Sequence, residues 1–91
     1  MACETVLEKA CVEAGEGVVL TYILSKRTAG GGTLLYSLLI EETYRGKSEF
    51  VFLNDLTDEE EKARELFRLF GEACVTPCTA EDILVDLFYT P

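Results

Sequence analysis

The chain has 91 residues, enough for one small domain, and its 48% hydrophobic and 27% charged content argues against intrinsic disorder. Seventeen acidic residues against eight scattered basic ones leave a formal charge of -9, which disfavours nucleic acid and anionic membrane surfaces as direct partners. Histidine is absent, so the commonest general base and the commonest metal ligand are both missing, and the composition argues against an enzyme.

Residues 2–14 read two ways. Cys3, Val6, Leu7, Ala10, Cys11 and Ala14 form a helical stripe, and local composition favours helix. Read with period two, Val6, Ala10 and Val12 share one strand face, interrupted by Glu8. Gly15-Glu16-Gly17 then breaks the element. Residues 18–25, rich in β-branched and aromatic side chains, predict a strand. The Gly30-Gly31-Gly32 run predicts a hairpin loop and not a phosphate cradle, because no Gly-Lys-Ser/Thr follows to open a helix.

Residues 33–45 predict a long strand with two apolar faces. Leu34, Tyr36, Leu38 and Ile40 line the face assigned to the core; Leu35, Ser37, Leu39 and Glu41 line the other. Leu35 and Leu39 make that second face apolar enough to need a cover, for which a second protomer is one candidate. Gly46-Lys47 reads as a turn and 48–53 as the returning strand, so short loops imply antiparallel neighbours.

At Thr57 the hydrophobic period changes. Thr57-Asp58-Glu59-Glu60 has the form of a capping box, and acids at 58–61 suit the positive end of a helix dipole. Ala63, Leu66, Phe67, Phe70 and Cys74 follow as an apolar stripe, with Asp58–Lys62 and Glu60–Arg64 as outer-face pairs. Val75-Thr76-Pro77 is extended ahead of a second capping site at Thr79-Ala80-Glu81-Asp82, with Cys78 and Ile83 placed as a hydrophobic staple. Ile83, Leu84, Leu87 and Phe88 supply the apolar face of a short last helix.

Candidate chemistry is sparse. Cys74 and Cys78, with a rigid proline between them, fall within the spacing of a zinc-ligand pair but Cys3 and Cys11 do not, the Cys-x-x-Cys redox spacing is missing, and all four read as reduced, partly buried thiols. Carboxylates at 58–61 and at Glu81, Asp82 and Asp86 sit where capping explains them, although Asp86 lies among apolar residues and would suit a base such as Arg45. Tyr22, Tyr36, Tyr44, Phe50 and Phe52 lack the cations of a base-stacking platform and read as core and cross-strand packing. No residue is assigned as catalytic, cofactor-binding or metal-ligating, and no cofactor is expected.

The run from Tyr36–Ile40 through Asn54-Asp55-Leu56, an acidic helix, Val75-Thr76-Pro77, Asp82-Ile83 and Asp86-Leu87-Phe88 resembles a family of short uncharacterised proteins from clostridia and related Firmicutes, over residues 18–88. The resemblance implies an antiparallel sheet followed by two helices, with residues 4–13 as a first strand, and it brings no known activity.

The expectation is therefore an α+β fold: an antiparallel meander of three or four strands followed by two helices packed on one face, in a single domain spanning 1–91. The N-terminus shows no signal peptide pattern and no stretch approaches the ~20 apolar residues of a membrane span, which points to the cytoplasm. The functional expectation is a non-catalytic protein–protein interaction or regulatory module, with a protein partner or a homodimer formed through the sheet. The alternative is a small-molecule or metal-binding domain that uses a sheet–helix pocket or the thiols.

Overall fold

A computed structural model describes the backbone of residues 4–89 and the side chains of residues 4–85. Expectations resting on Cys3 and on the side chains of Asp86, Leu87 and Phe88 lie outside the described residues. The strands are β1 (Thr5–Glu13), β2 (Val18–Thr28), β3 (Leu34–Tyr44) and β4 (Lys47–Thr57), followed by helices α1 (Glu60–Glu72) and α2 (Pro77–Tyr89). The sheet is an antiparallel meander in the order β1-β2-β3-β4, and both helices cover the same face of it. The α+β expectation holds.

Over the described residues the helix favoured by local composition is not formed, and Thr5–Glu13 is the first strand that the resemblance implies for 4–13. Thr5–Glu13 pairs along β2 with Ala10 opposite Tyr22 and Val12 opposite Leu20. Propensity loses because a ladder to a strong neighbouring strand satisfies this backbone and puts Leu7, Ala10 and Val12 against the core. A register shift between Val6 and Glu8 resolves the broken alternation. Leu7 takes the bulge and packs inward, while Val6 turns out and is exposed.

The β3–β4 turn is Arg45-Gly46 and not Gly46-Lys47. Both residues have positive φ, 50° and 77°, as a two-residue hairpin turn matching the strand twist requires. Arg45 stacks on the ring of Tyr44, 5.0 Å from its centroid.

The core lies between the sheet and the helices. Leu20, Tyr22, Leu24, Leu38 and Ile40 have no exposed surface, and Ala63, Leu66, Phe67 and Phe70 of α1 close over them. Leu34, expected in the core, lies beyond the helices and is 40% exposed.

The helix starts differ from the expected caps. Thr57 still pairs with Tyr36 as the last residue of β4, so two residues separate it from α1. Its hydroxyl accepts from the Glu59 amide at 3.1 Å, and the Glu60 carboxylate turns to Arg64 and Tyr36 instead of back to Thr57. Lys62 pairs with Glu59 and not with Asp58. Helix α1 ends at Glu72, so Cys74 leaves the stripe, with φ 51°, and is exposed. Helix α2 begins two residues before the expected Thr79 cap. Pro77 opens it, where a missing amide costs nothing, and the Thr76 carbonyl accepts from the Thr79 and Ala80 amides.

Tyr22 ties these layers together. Its hydroxyl, in the middle of the buried face, donates to the Val75 carbonyl at 2.8 Å, at the joint between the helices. Burial, and secondarily the nearby Cys74 thiol, push its pKa up from 10.0 to about 12. The folded chain keeps this proton where the unfolded chain has released it, so stability present below pH 10 is lost as pH rises from 10 to 12. Comparing urea unfolding of wild type and Tyr22→Phe isolates the effect: the wild type loses on the order of 2 kcal/mol more than the variant across that window. At neutral pH the variant is about 1 kcal/mol less stable, through the unpaired Val75 carbonyl. In the same assay, Phe70→Ala costs about 3–5 kcal/mol, whereas Val85→Ala, at an exposed position, stays within about 0.5 kcal/mol.

Candidate functional site

Strand alternation that fills the core also populates the opposite face of the sheet, and the helices leave that face open. Two rows of paired residues cross its middle. One reads Lys9, Ile23, Leu39, Phe52 from β1 to β4; the next reads Cys11, Thr21, Glu41, Phe50. Ile23 and Leu39 are half-buried by their neighbours, while Phe52 is 42% exposed and Phe50 69%. Val6 and Val19 extend the apolar surface towards the two ends of β1 and β2.

The expectation that Leu35 and Leu39 form a second apolar face is met, since both lie there. The aromatic set divides. Tyr22 and Tyr36 are buried under the helices, as packing predicts, but Phe50 and Phe52 point away from the core and Tyr44 is exposed at the hairpin. Period two in residues 48–53 separates Phe50 and Phe52 from Val51 and Leu53 without saying which pair faces the helices.

One corner of the open face is closed by polar groups. Three residues of β4, Asn54 to Leu56, bulge opposite Ser37, because Leu38 pairs with Leu53 but Tyr36 pairs with Thr57. Asp55 adopts φ 53° there, and its amide donates to the Ser37 hydroxyl at 3.1 Å. That hydroxyl donates in turn to the Asn54 side-chain oxygen at 3.2 Å. Arg27 reaches across from β2 and grips the Asp55 carboxylate with two nitrogens, Nε at 3.0 Å from Oδ1. The bidentate hydrogen bond to Asp55 raises the pKa of the guanidinium, so it stays charged. Ser37 is left 1% exposed, a polar residue buried with its partners supplied.

The remaining candidate groups do not converge. Cys11, Cys74 and Cys78 are free and exposed, which corrects their expected partial burial. Among the described residues no three cysteine or carboxylate side chains come together as a metal cluster. Open grooves lie at the rim of the layer between sheet and helices. One of about 540 Å³ runs beside the β4 edge and the start of α2, along Glu49, Phe50, Val51, Cys78, Glu81 and Asp82. On α1, the Glu60 carboxylate accepts from Arg64 at 3.1 Å and from the Tyr36 hydroxyl at 3.3 Å; the Arg64 bond, foremost, lowers its pKa. Arg64 also bridges to Glu8 of β1 at 3.1 Å, which ties the helix to the sheet edge. No described helix is long and apolar enough to cross a membrane.

The corner makes a test of what Asp55 does. Asp55→Asn keeps a residue tolerant of positive φ and loses a half-exposed ion pair, and thermal unfolding should register a loss below about 1 kcal/mol. Asp55→Val adds a β-branched residue at φ 53° and should cost a further 1–3 kcal/mol or so.

Comparison with protein-family models, with curated proteins and with solved structures finds no match for this chain.

Proposed function

We propose that the chain is a non-catalytic protein-interaction module of the cytoplasm that docks a protein through the open face of its sheet. The observation that carries this reading is the contiguous apolar surface of Ile23, Leu39, Phe50 and Phe52 on a face that no described element covers. With Phe50 69% and Phe52 42% exposed, the two side chains together forgo on the order of 2–3 kcal/mol that a partner would supply by burying them. Exposed apolar surface of this kind marks an interaction site when it is contiguous and rimmed by polar groups. Here Lys9, Thr21, Thr43, Glu41 and the Arg27–Asp55 corner supply the rim. The reading is supported further by what the chemistry lacks: no histidine in the sequence and, among the described residues, no group of three cysteine or carboxylate side chains placed to hold a metal.

A photoreactive amino acid placed at Phe50 in cells tests the reading against one placed at Val85, exposed on α2. Cross-linked protein of higher mass is expected from Phe50 and not from Val85. Products from Val85 alone, or from neither position, would sink it.

A further inference from the structure

We propose that a second copy of the chain fills the open face, giving a two-fold helix–sheet–sheet–helix sandwich with its axis parallel to the strands. The proposal rests on the docking reading above and names the partner.

Size is the first argument. The molecule is a slab, 45 by 36 by 17 Å, with one broad side formed by the bare sheet. Four strands of nine to eleven residues present a plan area of about 700 Å² at ordinary strand spacing and rise. Two such faces together bury about 1,400 Å², inside the range of roughly 1,200–2,000 Å² that stable interfaces occupy. Two sheets packed face to face at about 10 Å would seal Ile23, Leu39, Phe50 and Phe52 from water.

Charge is the second argument. Two copies carry -9 each, so they repel unless they meet where little of that charge resides. The open face holds two cations, Lys9 and Arg27, against four carboxylates, Glu4, Glu13, Glu41 and Asp55, a net of about -2 out of -9. Glu59, Glu60, Glu61, Glu65 and Glu72 lie with α1 on the far side of the slab, where Lys62, Arg64 and Arg68 offset part of their charge. A strongly acidic chain thus offers another acidic chain one broad surface that carries only a small share of its negative charge.

The residue rows select the axis. A two-fold axis along the strands reverses each row over itself. Ile23 then meets Leu39 of the second copy, Thr21 meets Glu41, and Lys9 lies over Phe52, a cation on an aromatic face. The Thr21 hydroxyl is a donor for the opposing Glu41 carboxylate, which supplies that half-buried acid with a partner. An axis across the strands at the same row would instead set Lys9 against Lys9.

Sedimentation equilibrium of the reduced chain over a range of concentrations tests the pairing. The expected mass is twice 10.1 kDa, returning to 10.1 kDa in Leu39→Lys with an unchanged far-ultraviolet dichroism spectrum, and staying doubled in Val85→Lys. Phe52→Glu, at a more exposed position, serves if Leu39→Lys does not fold. The axis is read by a short bis-maleimide in a Cys3→Ser, Cys74→Ser, Cys78→Ser background: adding Phe50→Cys should yield covalent dimers through Cys11, and the background alone should not. A wild-type monomer at every concentration, or a dimer indifferent to both open-face substitutions, overturns self-pairing. If the chain is monomeric while the photoreactive group at Phe50 still captures a different protein, self-pairing falls and the docking reading stands.

Discussion

Tyr22 occupies the middle of the second strand with no surface exposed, and its hydroxyl donates to the carbonyl of Val75 where one helix hands over to the next. A buried phenol cannot be left without a partner, and the Val75 carbonyl, between two helices, needs a donor. One bond answers both demands and spans 53 residues of sequence. It pins the interhelix joint to the centre of the sheet, so both helices must lie on the side to which Tyr22 points. Leu20, Leu24, Leu38 and Ile40 complete the surface they cover.

That placement has a direct consequence for the other side. Two helices of thirteen residues suffice to cover one face of a four-stranded sheet and no more. Yet β3 and β4 are apolar on both faces, with Leu39, Phe50 and Phe52 alternating against Leu38, Val51 and Leu53. The chain therefore carries more apolar surface than its own helices can bury, while its acids gather on the helical side. These two asymmetries are what support the proposed docking through the bare face.

The open face was partly legible from residue order. Leu35 and Leu39 stood out because a strand with apolar residues on both sides needs covering on both sides. Phe50 and Phe52 did not, because alternation separates two sets of residues but is symmetric between them. The bulge at Asn54–Leu56 was equally hidden. It arises from the way β4 must pass Ser37 and still bring Thr57 beside Tyr36, a constraint between residues about twenty positions apart. Arg27 and Asp55, 28 residues apart, meet only because that bulge turns the aspartate towards β2.

Sequence alone determined the order and kind of most elements: strands at 18–25, 33–45 and 48–53, then two helices, with Ala63, Leu66, Phe67 and Phe70 as the buried stripe of the first. These are decided by period and propensity, which act over a few neighbouring residues. Tertiary structure decided the state of Thr5–Glu13, whose helical stripe yielded to a ladder with β2, and it moved both helix starts, because Thr57 stayed in the sheet and Pro77 was free to open α2. It also decided which apolar face is covered. Local sequence cannot encode that choice, since it depends on where helices later in the chain come to rest, and here a hydrogen bond from Tyr22 holds them.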